Sequence, residues 1–83
     1  MNVSLRQLRV FVAVAESSSF SRAADALALT QPAVSRNVTD LEQVMGLQLL
    51  HRTTREVELT EAGRLLLGNV SRVLEDLDAC LQE

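Results

Sequence analysis

The stretch "LTQPAVSRNVTDLE", residues 29–42, decides the fold because it joins a strong helix start to two unlike faces. Thr30 is a good N-cap, and Pro32 lies in the first turn, where its missing N–H costs nothing. Apolar residues then recur every three or four positions and a glycine follows them, at Val34, Val38, Leu41, Met45 and Gly46. This pattern predicts a helix over residues 31–45 that buries one side.

The opposite side of this helix has hydrogen-bonding groups and one cation in its first two turns, and its acids begin only at Asp40. Such an end is suited to insertion into a DNA groove. Gln31 can form two hydrogen bonds to adenine, and Arg36 can form two to guanine. Pro32 and Ala33 offer apolar contact to a thymine methyl group. The predicted base-contacting set, with its cap, is Thr30, Gln31, Pro32, Ala33, Ser35 and Arg36.

Two helices are predicted upstream of this segment. Ser4 and Gln7 fit a capping box, so a first helix should begin at Leu5 and end in "ESSS". One apolar stripe is formed by Leu5, Leu8, Val12 and Ala15 with Phe11 beside it, while Val10 and Val14 lie on the opposite side, so the helix should be covered from two directions. Ser19 caps a short second helix to about Leu27, and Ser19 and Ser21 are candidate phosphate ligands.

The period changes downstream, in "LQLLHRTTREVELT", which predicts a short β-hairpin. Its turn carries Arg52, Thr53 and Arg55, which can reach a DNA backbone or a minor groove. Thr60 then caps a helix predicted to run to the C-terminus. The expected fold is mainly α: a winged helix-turn-helix over residues 1–60, with three short helices and a hairpin wing, followed by a long linker helix over residues 61–83.

The last helix has an apolar stripe wider than a two-stranded seam needs. One row is Leu66, Val70, Val73, Leu77 and Cys80, and a second is Leu67, Leu74 and Leu81. We expect one row to pack on the first helix and the other on a second copy of the chain, which predicts a homodimer.

Charge and composition limit the other possibilities. The 83 residues form one small domain of 47% hydrophobic residues, and the net charge of −3 combines a mildly basic front half with an acidic end. The sequence has one cysteine and one histidine, so no disulfide, metal site or cofactor is expected. Apolar stretches are too short for a signal peptide or a membrane span, which predicts a soluble, cytoplasmic protein.

Other interpretations of these residues remain open. Arg36 taken alone is an ordinary solvated charge, His51 an ordinary strand residue, and Cys80 a core or interface residue rather than a redox switch. A winged-helix module that holds a protein partner is the main alternative function. An enzyme has no support, because no paired acid and base, activated nucleophile or phosphate-binding glycine loop is found.

Several motifs in one order resemble the N-terminal winged helix-turn-helix of LysR-type bacterial transcriptional regulators. They are "SFSRAADAL", "TQPAVSR", "LE" at 41–42 and "LTEAG" at 59–63, and the similarity covers residues 5 to 63 closely. Asn37-Val38 stands where Gln-Ile is common, and Leu50 where Phe is usual. Val38 and Leu50 are expected to be tolerated in the core, whereas Asn37 weakens any contact inferred from a glutamine.

The resemblance implies a bacterial cytoplasmic regulator that dimerises through its last helix and binds a dyad-symmetric double-stranded operator. It places DNA contacts at Gln31, Pro32, Ser35 and Arg36 and, in the wing, at Arg52 and Arg55. Such regulators carry a larger C-terminal domain that senses a small-molecule effector. The chain is therefore expected to be a DNA-binding fragment.

Overall fold

A computed structural model of the chain describes residues 2–52 and 57–82, which form four helices and a two-stranded antiparallel hairpin. The elements are α1 (Leu5–Ser17), α2 (Phe20–Leu27), α3 (Gln31–Met45), β1 (Leu50–Arg52), β2 (Val57–Leu59) and α4 (Glu61–Leu81). This order confirms the predicted winged helix-turn-helix with a long final helix. The sequence predicts that the last helix continues to residue 83, whereas α4 ends at Leu81.

The helices begin where the sequence predicts because their caps are local. The Gln7 amide donates to Ser4 Oγ (3.1 Å), and the Ser4 amide donates to Gln7 Oε1 (3.0 Å), which completes a capping box. Thr60 Oγ1 accepts from the Gly63 amide (2.9 Å) at the start of α4. At the end of α3, Gly46 takes the left-handed conformation with φ 67°.

The turn between α2 and α3 closes without glycine. Ala28 adopts φ 56°, and the amide of Leu29 donates to the Ala24 carbonyl oxygen (2.9 Å). This bond satisfies a carbonyl group in the last turns of α2. Ala28, in the left-handed conformation, therefore makes the tight turn at a position where glycine is the usual residue.

The core lies where α1 meets α2, α3 and the hairpin. Its members are Val10, Phe11, Val14, Ala23, Ala24, Val34, Val38, Leu41, Leu49 and Leu50. In α1, Val10, Phe11 and Val14 are buried and Leu8, Val12 and Ala15 are half-buried, whereas Leu5 is exposed. The helix packs on both the other short helices and α4, so it is covered from two directions as expected, and periodicity does not show which face is buried more deeply.

The hairpin pairs Leu50 with Leu59 and Arg52 with Val57, and it leads directly into α4. The Thr60 amide donates to the Leu49 carbonyl oxygen (3.0 Å). Gly63 lies against that same carbonyl group, so closely that a Cβ at position 63 would overlap it. The absence of a side chain at Gly63 therefore lets α4 start on the hairpin.

The long helix α4 packs on α1 and on β2. Val70 and Leu74 are buried within the subunit, whereas Leu65, Val73 and Leu81 are 67%, 58% and 72% exposed. Neither α4 nor any other helix within residues 2–52 and 57–82 is long and apolar enough to cross a membrane.

Candidate nucleic-acid interface

The amino-terminal end of α3 projects from the protein. Gln31, Pro32 and Arg36 are exposed and Ala33 and Ser35 are half-buried, while the other face of the helix is buried through Val34, Val38 and Leu41. A shallow depression on this end is lined by Thr30, Pro32, Ala33, Arg36 and Asn37. The helix therefore presents the predicted residues to solvent, and α4 packs on other elements.

Few backbone donors remain free at this helix start. Thr30 Oγ1 accepts from the Ala33 amide (3.2 Å), and Pro32 has no N–H. Among the first three residues of α3, Gln31 therefore supplies the amide that can donate to an anion, reinforced by the positive end of the helix dipole.

The charges around this end are favourable for a polyanion. α3 has no acid before Asp40, and Arg36 forms no ion pair with any of the described residues. The negative net charge of the chain therefore does not extend to this surface.

The start of α2 places further polar groups on the surface. Ser19 Oγ accepts from the Arg22 amide (3.1 Å), so its oxygen is used as a helix cap, while its hydroxyl proton can still be donated. Ser21 and Arg22 are exposed. Both serines thus keep a donor for a phosphate oxygen.

Arg52 is the described residue of the predicted wing set. Thr53 and Arg55 lie outside the described residues, so their predicted contacts stay predictions. The guanidinium of Arg52 donates to Thr39 Oγ1 (3.3 Å) and forms an ion pair with Glu42 Oε1 (3.2 Å). Its Cζ lies 5.3 Å from the centroid of the Phe20 ring. Arg52 is thus engaged inside the subunit.

Residues 5–64 match the family described as bacterial regulatory helix-turn-helix protein, lysR family. The chain belongs to this LysR family. A relative in Shigella flexneri named as the HTH-type transcriptional regulator YfeR is 51% identical over 83 residues, which is 100% of this chain and 27% of that protein. This LysR-family chain therefore spans about a quarter of the length of that curated relative.

Solved structures of LysR-family DNA-binding domains have the same fold. The BenM DNA-binding domain, in a complex with catB site 1 DNA, is 40% identical with a TM-score of 0.91, over 95% of this chain and 88% of that one. The CbnR DNA-binding domain, in a DNA complex, is 38% identical with a TM-score of 0.89, over 95% and 91%. The predicted fold class and family are both confirmed.

Where this LysR-family chain departs from the family pattern, the residues are used internally. Asn37 Nδ2 donates to the Ala33 carbonyl oxygen (2.9 Å), so this amide turns back on its own helix. Val38 and Leu50 are fully buried in the core. The asparagine at position 37 therefore bonds within α3, whereas Gln31 and Arg36 are exposed to solvent.

Sequence reasoning assigned no structural contact to Glu42. The carboxylate Oε2 accepts from the Leu49 amide (2.8 Å) and the Leu50 amide (3.3 Å), and Oε1 faces Arg52. No periodicity shows a bond between positions seven or more residues apart in different elements. The "LE" pair of the family motif was the available signal.

The predicted dimerisation residues divide differently from the two predicted rows. Val70 and Leu74, one from each row, are buried in the subunit, and Leu66, Leu67 and Leu77 are half-buried. Exposed members are Val73, Cys80 and Leu81, and Leu65 joins them outside the predicted set. These apolar side chains of α4 therefore remain in solvent.

Proposed function

We propose that this chain is the sequence-specific, double-stranded DNA-binding part of a LysR-type transcriptional regulator, and that it acts as a homodimer. The observation that carries the proposal is the exposed, acid-free start of α3, with Gln31 and Arg36 in solvent. The DNA complexes of the BenM and CbnR domains support it, since these domains share the fold at 38–40% identity.

Base recognition belongs to the first two turns of α3 in the major groove. Gln31 reads adenine through two hydrogen bonds, and Arg36 reads guanine O6 and N7 through its paired donors. Pro32 and Ala33 contact a thymine methyl group, and Ser35 bonds to a base or a phosphate. Each bidentate pair supplies about 1–3 kcal/mol of discrimination.

Phosphate contacts hold this helix in register. The Gln31 amide and the dipole of α3 favour a phosphate at the helix start. Ser19 and Ser21 at the start of α2 donate to the backbone, and the wing approaches the backbone or the minor groove beside the same site. These contacts add affinity and carry no base information.

A homodimer through α4 gives the protein two reading helices. Val73 and Leu81 are exposed apolar residues of α4 that the monomer leaves in solvent. Their burial against a second copy would bring two copies of α3 to one dyad-symmetric operator. Their separation should be about 34 Å, one turn of B-DNA.

Selection from a random pool of DNA duplexes tests this function. We expect enrichment of two related, inverted half-sites about one helical turn apart, protected together in footprinting. The competing function, a module that binds a protein through α3 or the wing, predicts no enriched duplex. Binding to the selected duplex must also weaken steeply as salt rises, because phosphate contacts release counterions.

A further inference from the structure

Arg52 connects three elements that face the proposed DNA site. It lies at the end of β1, donates to Thr39 and Glu42 on α3, and stacks over Phe20, the first residue of α2. Both terminal nitrogens of the guanidinium are engaged at 3.2–3.3 Å. The arginine thus touches side chains on both helices of the helix-turn-helix.

Glu42 extends this connection to the backbone. While Oε1 pairs with Arg52, Oε2 accepts from the amides of Leu49 and Leu50 at 2.8 and 3.3 Å. The Glu42 side chain is only 16% exposed. One carboxylate therefore attaches the last turn of α3 to the start of the wing, and Arg52 supplies the opposing charge.

We propose that Arg52 is a positioning residue, which holds the wing and the start of α2 at a fixed angle to the reading helix α3. This inference rests on the proposed DNA-binding function. Three of the five guanidinium N–H donors are used by Thr39 and Glu42 and one face lies over Phe20, so the group is held by the subunit, and its withdrawal to a phosphate would leave the Glu42 carboxylate facing DNA without its partner. Arg52 acts on base choice through α3 and contacts no base itself.

A direct phosphate ligand and a positioning residue respond differently to mutation. Loss of a phosphate ligand weakens binding to every duplex alike. It also makes the fall of log K, the binding constant, with log salt less steep by about 0.9. Loss of a positioning residue misaligns α3, so it weakens the selected duplex more than a scrambled one and leaves the slope unchanged. Glu42→Gln distinguishes the two roles of Arg52 sharply. Removal of an acid near DNA should strengthen binding, unless that acid is needed to align α3.

The experiment compares Arg52→Ala, Glu42→Gln and Thr39→Val with the unaltered chain. The probes are a duplex selected by the unaltered chain and a scrambled duplex of the same composition, each titrated at several salt concentrations. We expect Arg52→Ala and Glu42→Gln to reduce the ratio of the two affinities about tenfold, as loss of one bidentate base contact would. Thr39→Val should reduce the ratio less, and the salt slope should stay the same in all three.

Arg6→Ala is the matched control, since Arg6 is an exposed arginine of α1 that forms no ion pair within residues 2–52 and 57–82. It should change neither the ratio nor the slope. If Arg52→Ala does not fold at the assay temperature, Glu42→Gln and Thr39→Val decide the question. An unchanged ratio with a lower melting temperature would reduce the network to a structural role and overturn the inference.

The two proposals fail in different ways. If the unaltered chain binds the enriched and scrambled duplexes equally, the DNA-reading function itself is wrong. If the unaltered chain discriminates but Arg52→Ala weakens both duplexes equally and lowers the salt slope, Arg52 is a phosphate ligand. In that case the proposed function stands and the positioning role does not.

Discussion

Arg9 in α1 and Asp78 near the end of α4 are joined by an ion pair, with Nη2 and Oδ1 2.8 Å apart. The two residues are 69 positions apart, so the pair fixes the far part of the long helix on the first one. Donation from the guanidinium lowers the pKa of the Asp78 carboxyl and raises the pKa of Arg9. The pair thus joins α1 to the far part of α4, in addition to the burial of Val70 and Leu74.

We predict that Asp78→Asn lowers the melting temperature at neutral pH. Because the pKa of Asp78 is lower in the folded protein than its ordinary value of 3.8, the pair stabilises the fold above that value. Its contribution should disappear as the pH falls through the lowered pKa. Melting curves from pH 7 to about pH 2 should show the variant and the unaltered chain converging in acid.

Asp76→Asn is the control for this prediction, because Asp76 is exposed on the same helix and forms no ion pair within residues 2–52 and 57–82. It removes the same charge without removing a partner. Equal melting temperatures for the two variants at every pH would show that the ion pair contributes nothing.

The two glycines of α4 should respond oppositely to alanine. At Gly63 a Cβ would overlap the Leu49 carbonyl group and lie 3.1 Å from Leu59 Cδ2, so Gly63→Ala should lose about 1–3 kcal/mol. At Gly68 a Cβ meets nothing within 4 Å, so Gly68→Ala should gain up to about 1 kcal/mol of helix propensity. Urea unfolding measures both, and destabilisation by Gly68→Ala would contradict the packing described.

Ala28→Gly should stabilise the helix-turn-helix. Alanine at φ 56° pays a left-handed penalty of roughly 1–2 kcal/mol that glycine avoids, offset by about 0.5–1 kcal/mol of greater freedom in the unfolded chain. Ala26→Gly, at an exposed site inside α2, should instead lose about 1 kcal/mol. The free energy of unfolding from urea curves compares the two, and a loss at both positions would be inconsistent with a left-handed Ala28.

Val73→Arg should prevent the proposed dimer without unfolding the subunit. Val73 is 58% exposed, so arginine fits in the monomer but places a charge in an apolar contact between two copies. Leu47→Arg is the control, because Leu47 is also exposed but lies in the segment after α3 and is not part of α4. Sedimentation over a range of concentrations should show a monomer for Val73→Arg alone, and a dimer for both variants would exclude this face of α4.

The parts of the fold that could be predicted from the sequence are those set by residues close together in the chain. Ser4, Thr30 and Thr60 each mark a helix start within three residues of the amide they cap, so these bounds follow from neighbouring residues. The exposed side of α3 was predicted for the same reason, since a single helix determines which of its residues share a side. The exposure of Gln31 and Arg36 agrees with that expectation.

Features that depend on two elements were not predictable. Val10 and Val14 took the deepest positions because α1 is covered from several sides, and the sequence does not show which cover is more complete. The division of α4 between Val70 and Leu74 inside and Val73 outside depends on how that helix crosses α1. The bond from Glu42 to Arg52 needs the wing folded against α3 before it exists.

The base preference of Arg36→Ala tests most directly whether the exposed start of α3 reads DNA. Affinities are measured for the selected duplex and for all single base-pair changes in one half-site, with Arg6→Ala as the charge-matched control. We predict that Arg36→Ala loses about 1–3 kcal/mol of discrimination at one position per half-site and keeps its preference elsewhere. An Arg36→Ala protein with the full base preference of the unaltered chain would contradict the assignment of Arg36 to base reading at the start of α3.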